Sequence, residues 1–157
     1  MYDRPVPLPY ALERPPTAQA LLQGSSAYPQ LHGEVLFYPF LNGSLLLIRV
    51  TGLPGNGFFG FHIHETGDCC TGGDTPFSCA GGHWSSIDVP HPNHTGDLPV
   101  LLADEGLAFS MVYTGRFTPA QAIGHTVILH DQPDDYRSQP AGNSGARIAC
   151  GVIRPVD

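Results

Sequence analysis

Residues 31–50 read Leu31-His32-Gly33-Glu34-Val35-Leu36-Phe37-Tyr38-Pro39-Phe40-Leu41-Asn42-Gly43-Ser44-Leu45-Leu46-Leu47-Ile48-Arg49-Val50. Two runs rich in branched and aromatic residues, Leu31 to Phe37 and Leu45 to Val50, are broken by Asn42-Gly43. Asn-Gly tolerates the positive φ angles of the tightest hairpin turns, so the stretch reads as an antiparallel hairpin. The same grammar continues outward. Gly52 to Gly57 is a turn cluster and Phe58 to His64 a further strand. Strands resume at Leu98 to Ala103 and Leu107 to Tyr113, joined across Asp104-Glu105-Gly106, then at Thr126 to His130 and Arg147 to Ile153. Ala18 to Gln23 reads either as a strand or, following Pro15-Pro16, as a helix. Thr118-Pro119-Ala120-Gln121 marks a short helix start, with a capping Thr, Pro at the first helical position and Gln three residues on from the Thr. Seven or eight short strands at this spacing predict an all-β sandwich or barrel.

The composition fits that class. Glycine (19) and proline (16) are abundant among 157 residues, hydrophobic residues reach 41% and charged ones only 13%, which excludes a disordered chain. There is no internal repeat. Residues 1–16 carry five prolines and read as an arm, followed by one domain over residues 17–157. Seven arginines, no lysine and fourteen acids give a net charge of −7, against nucleic acid or an anionic membrane as partner. No run approaches the roughly 18 apolar residues of a membrane span. Met1-Tyr2-Asp3-Arg4-Pro5 lacks a charged segment leading into an apolar run, so a cytoplasmic location is expected, or a periplasmic or extracellular one for a trimmed mature form. Four cysteines, Cys69, Cys70, Cys79 and Cys150, allow three pairings, and disulfides would favour an oxidising compartment.

Eight histidines are the compositional excess that points to chemistry. Side chains alternate across a strand, so His62 and His64 share the face opposite Phe61 and Ile63 and can chelate one transition metal. The stretch from 65 to 97 is dominated by Gly, Pro, Asp, Ser and His, without usable periodicity; loops this long are usually functional. It carries His83, then His91, His94 and Asp97 at intervals of three, a set of N and O donors that suits tetrahedral zinc. His130, closing a later strand, gains interest as a partner of His62 and His64. Residues 132–146 form a second long loop.

These residues resemble the copper–zinc superoxide dismutase family over roughly residues 17–154. The matching stretches are Gly60 to Glu65, Ala80 to His83, His94 to Leu98, Ile128 to His130 with Asp134-Asp135, and Gly142 to Ile153, in the family's order. The resemblance implies an eight-stranded Greek-key β-barrel with two long functional loops. It implies copper on His62, His64, His83 and His130, and zinc on His83, His91, His94 and Asp97. Asp134 would link one ligand of each metal. Arg147 would attract and orient the superoxide anion, with Arg137 a weaker candidate, and His83 would supply a proton to the reaction. The family's single bridge implies pairing of Cys150 with the Cys69/Cys70 end of the loop; Gly67-Asp68-Cys69 resembles the bacterial pattern, favouring Cys69–Cys150 with Cys70–Cys79. The activity implied is dismutation of superoxide to oxygen and hydrogen peroxide, with the superoxide anion as small-molecule partner; oligomeric state is left open, a homodimer being one alternative. The alternative is a barrel that carries copper or zinc for delivery or sequestration without turnover, for which an anion-orienting arginine has no use.

Overall fold

The computed structural model describes residue 10, residues 12–71 and residues 75–157; the larger part of the expected arm, residues 1–9 and 11, lies outside them. Ten strands follow one another: β1 Ala18–Gly24, β2 His32–Phe40, β3 Gly43–Thr51, β4 Gly57–Phe59, β5 Phe61–His64, β6 Leu101–Asp104, β7 Leu107–Thr114, β8 Thr126–His130, β9 Arg147–Val152 and β10 Arg154–Pro155. All pairings are antiparallel, in the order β4-β6-β7-β3-β2-β1-β9-β8-β5, with β10 beside β1. The first three strands form a meander. The chain then jumps to β4 and β5, the β6–β7 hairpin fills the gap back to β3, and β8 and β9 fill the gap back to β1. That order is a Greek key.

The two ends of this path, β4 and β5, are one run of chain bent at Gly60. The bend transfers pairing from β6 to β8: Gly60 N–H donates to the Gln132 carbonyl at 2.8 Å and His130 N–H to the Gly60 carbonyl at 2.9 Å. With residues 57–64 taken as one bent strand and β10 as the continuation of β9, the barrel has the eight strands the family resemblance implies. Its interior is filled by alternate residues, among them Phe37, Leu46, Ile48, Phe61, Ile63, Val127, Leu129 and Ile148.

The structure settles one open alternative and differs from the sequence reading in one detail. Ala18 to Gln23 is a strand, because it pairs along its length with β2. The β2–β3 turn is centred on Leu41-Asn42, with Phe40 opposite Gly43 and Leu41 at φ 53°. Gly43 therefore lies in β3, where a Cβ would run into the Thr114 carbonyl of β7. Glycine serves close strand packing there, not the turn. The helix start at Thr118 holds: a helix spans Pro119–Ala122, and the Gln121 side chain accepts the Thr118 N–H at 2.8 Å. Among the described residues no helix is long and apolar enough to cross a membrane.

Candidate metal centre

β5 presents Phe61 and Ile63 to the core and His62 and His64 to the opposite side, all four buried. One edge of β5 pairs with β8. The other is covered by the long loop. Ile63 N–H donates to the Gly96 carbonyl at 2.9 Å, and the Ile63 carbonyl accepts from Trp84 N–H at 2.8 Å. Isolated bridges set Asp97 opposite His62 and His83 opposite His64. Main-chain pairing thus delivers two loop side chains to the two strand histidines, and Gly96 is required because a Cβ would strike the Ile63 carbonyl.

The structure brings the seven candidate ligands into two adjoining clusters, one of His62, His64, His83 and His130, the other of His83, His91, His94 and Asp97. Within each, one potential ligand atom per residue lies within 4.8 Å of the others. The wider hydrogen bonding dictates which nitrogen faces inward. His64 Nδ1 is engaged by the Gly81 carbonyl at 2.9 Å and His130 Nδ1 by that of Gly145 at 3.4 Å, which leaves the two Nε2 atoms 3.4 Å apart. His62 Nε2 lies 2.7 Å from Asp134 Oδ2 and His91 Nε2 lies 2.9 Å from Asp134 Oδ1. His83 Nδ1 lies 2.7 Å from Asp97 Oδ1.

What remains is four buried ring nitrogens without a hydrogen bond: His62 Nδ1, His83 Nε2, His91 Nδ1 and His94 Nδ1. The last two sit 3.1 and 3.0 Å from Asp97 Oδ2, in directions that make no hydrogen bond. Buried polar atoms are nearly always partnered, so four orphans converging on two points mark donors arranged for cations. The donor set fits: imidazoles suit copper and zinc, and the one carboxylate lies in the cluster suited to the harder ion.

Burial keeps three of these imidazoles, those of His64, His83 and His130, neutral. It lowers His64 well below the ordinary histidine value, lowers His83, and brings His130 to about 3 with help from neighbouring His62. Asp97 is lowered as well, but against burial, which raises it: the His83 hydrogen bond and nearby imidazoles outweigh that and hold it at about 2. Neutral imidazoles and an ionised carboxylate are the protonation states a metal ligand needs.

Asp134 is buried, and besides the two imidazoles it accepts Tyr136 N–H at 2.7 Å on Oδ1. These three donors keep it ionised against the opposing effect of burial. Gly142, at φ 67°, makes room for it, since a Cβ there would overlap the carboxylate. Asp135, by contrast, is exposed and caps its own loop through Ser138, Arg137 N–H and Asn143.

Arg147 opens β9, half-buried, and donates to the Phe77 carbonyl at 2.7 Å and the Gly81 carbonyl at 2.5 Å. A guanidinium has five N–H groups, so two such bonds fix its orientation and leave others free. Gly81 also holds His64, which ties the arginine to one of the strand histidines. Arg137 is exposed. The loop carrying the Phe77 and Gly81 carbonyls is anchored by disulfides Cys69–Cys150 and Cys70–Cys79, and Phe77 and Ala80 pack on Ile128 and Cys150.

Two residues that sequence reasoning did not single out hold the His91–Asp97 segment. The Gln139 side chain accepts His91 N–H at 2.9 Å and donates to the His91 carbonyl at 2.7 Å. Arg116 aims one nitrogen at the carbonyls of Pro92, His94 and Asp97, at 3.0, 2.8 and 3.3 Å. Both bind main chain, which leaves no pattern in a sequence.

The family model for copper/zinc superoxide dismutase (SODC) matches residues 31–153. The Cu-Zn superoxide dismutase of Deinococcus radiodurans is 34% identical over 160 residues, spanning 90% of this chain and 86% of that relative. That of Caulobacter vibrioides is 35% identical over 130 residues, 72% of each chain. Among solved structures, the Cu/Zn superoxide dismutase from Brucella abortus superposes with a TM-score of 0.76 at 28% identity, covering 86% of this chain and 98% of its own. A double mutant of a SOD-like protein from Bacillus subtilis gives 0.75 at 28% identity, covering 87% and 96%.

Proposed function

The chain belongs to the copper/zinc superoxide dismutase family, and we propose that it converts two superoxide anions and two protons to oxygen and hydrogen peroxide at a copper centre beside a structural zinc. The observation that carries this reading is the four orphaned ring nitrogens converging on two adjoining donor clusters that share His83. His62, His64, His83 and His130 would hold copper, and His83, His91, His94 and Asp97 zinc. Bound copper supplies the one-electron redox chemistry. The chain's own residues orient the imidazoles, through Asp134, Gly81 and Gly145, and admit the anion. All four cysteines are paired. Disulfides persist in oxidising compartments, which supports a periplasmic or extracellular location over the cytoplasmic one expected from the N-terminus.

A net charge of −7 has the wrong sign for attracting superoxide, so steering must be local. Arg147, fixed by two carbonyls on the side of His64, is suited to it. The test is a superoxide-decay assay on protein of measured copper and zinc content. Metal-replete protein should accelerate decay, and Arg147→Ala should lower that activity more than tenfold with metal content unchanged. Arg147→Lys should retain part, because a point charge attracts the anion without the planar fork. Metal-replete protein with no activity would favour a metal carrier, and full activity in metal-replete Arg147→Ala would remove Arg147 from the steering of superoxide.

Gln139 gives a separate expectation for the zinc side. Gln139→Ala strips both main-chain partners from His91, at a net 0.5–1.5 kcal/mol for each hydrogen bond. Zinc affinity measured by chelator competition should fall about tenfold, with copper affinity little changed. Equal zinc affinity would show that Arg116 alone holds the segment.

A further inference from the structure

The two carbonyls that grip Arg147 lie at the two ends of one short 3₁₀ turn, Ser78–Ala80: Phe77 precedes it and Gly81 follows it. The middle residue of that turn is Cys79, bridged to Cys70. The two ends are held differently. At the Gly81 end, Thr66 N–H and Glu65 N–H donate to the Ala80 and Gly82 carbonyls, both at 3.0 Å, so the chain leaving β5 fixes Gly81 without a disulfide. At the Phe77 end, Phe77 N–H donates to the Cys70 carbonyl at 3.2 Å, and Cys79 N–H to the Cys70 sulfur at 3.3 Å. Phe77 has φ 60°, a left-handed conformation that a residue with a bulky side chain keeps only where its surroundings hold it. Cys70 thus anchors the Phe77 end twice, through main chain and through sulfur.

We propose that the Cys70–Cys79 bridge is a site of thiol–disulfide exchange that sets the grip on Arg147, and with it the affinity of the copper site for a small anion; this rests on the role given to Arg147 above. The two bridges differ in access. Cys79 is exposed, whereas Cys150 is 3% exposed and packs with Cys69 against Phe77, Ala80 and Ile128. They differ in span as well, 9 residues against 81. Closing a short loop contributes less to global stability than closing a long one, and exposed bridges are the labile ones. Cys70–Cys79 therefore opens while the barrel stays folded. The reductant is a dithiol. One of its thiolates attacks the Cys79 sulfur, forming a mixed disulfide and expelling the Cys70 thiolate, which the Cys79 N–H faces and which takes up the proton the dithiol released. The second thiol of the reductant then displaces Cys79. Two electrons and two protons pass to the protein, and the dithiol becomes a disulfide. Opening the bridge frees the Phe77 end alone. Arg147 keeps the Gly81 carbonyl, so its steering is weakened but not lost, and the freed segment contains none of the seven candidate ligands.

The full chain carrying Cys70→Ser and Cys79→Ser together, loaded with copper and zinc, tests the proposal beside the wild type and Arg147→Ala. Azide, a small anion that ligates copper(II), reports anion affinity through the visible copper absorption. In the double variant the azide dissociation constant should rise, and superoxide decay should slow, by about 3–10-fold, the equivalent of one lost hydrogen bond. Metal content and circular dichroism should not change. A bridge that served stability alone would lower the melting temperature and leave azide affinity where it was. On the wild type, titration with dithiothreitol followed by thiol trapping and peptide mapping should release Cys70 and Cys79 at a concentration that leaves Cys69–Cys150 closed. Wild-type azide affinity in the double variant, with Arg147→Ala impaired, overturns the proposal. So does loss of the fold or of metal from the double variant, or release of all four thiols together. An unimpaired Arg147→Ala overturns the role of Arg147 itself, and the proposal with it.

Discussion

Replacing His64 by alanine is expected to abolish copper-dependent superoxide decay while the barrel stays folded. His64 is 1% exposed, but it projects from β5 away from Phe61 and Ile63, so the core loses nothing. The hydrogen bond that disappears is the one to the Gly81 carbonyl, which keeps the Arg147 guanidinium as a donor. The cost is about 1–3 kcal/mol, smaller than the total stability of an ordinary domain. Function has no such reserve. His64 Nε2 lies 3.4 Å from His130 Nε2, so its removal opens one side of the copper set and leaves three imidazoles. The zinc set does not contain His64. The variant should therefore bind close to one zinc per chain, retain its circular dichroism spectrum, and show no activity after copper loading. Wild-type activity in copper-loaded His64→Ala would remove this residue from the site.

Asp134→Asn is expected to weaken metal binding on the order of 10–100-fold, the range for residues that orient ligands, and to do so unequally. Oδ1 receives two donors, His91 Nε2 and Tyr136 N–H, whereas Oδ2 faces His62 alone. An asparagine places its single oxygen where two donors meet, which turns its NH2 group toward His62 Nε2. Two donors then face each other. His62 relieves the conflict by moving its proton to Nδ1, the nitrogen that otherwise points, unpartnered, into the copper cluster. Copper affinity should thus fall further than zinc affinity when each is measured by chelator competition. A loss confined to zinc, or no loss, would contradict the role of Asp134.

Much of this was legible from residue order. The alternation that puts His62 and His64 on one face is a property of any strand, and the capping box at Thr118–Gln121 is purely local. Ala18 to Gln23 was ambiguous because Leu21 points outward and Pro15-Pro16 precede the run, so only pairing with β2 decides it. Alternation alone would place the bulky residues of β7 inside, whereas the interior there is filled from β2, β3 and β5, and small residues fit. Gln139 and Arg116 were illegible for a different reason: each recognises carbonyls and amides that every residue has.

The covering of β5 by the long loop has a consequence for the chain's behaviour among its own copies at high concentration. A strand edge with unpaired amides and carbonyls is a template onto which another chain can add. Among the described residues, the edge of residues 61–64 away from β8 is capped by loop segments at 82–84 and 96–97. The polypeptide that presents His83 and Asp97 is therefore also the guard that stops fibre-like strand addition. Any change that loosens residues 65–97 lays that ladder bare beside the two most apolar positions of β5, Phe61 and Ile63.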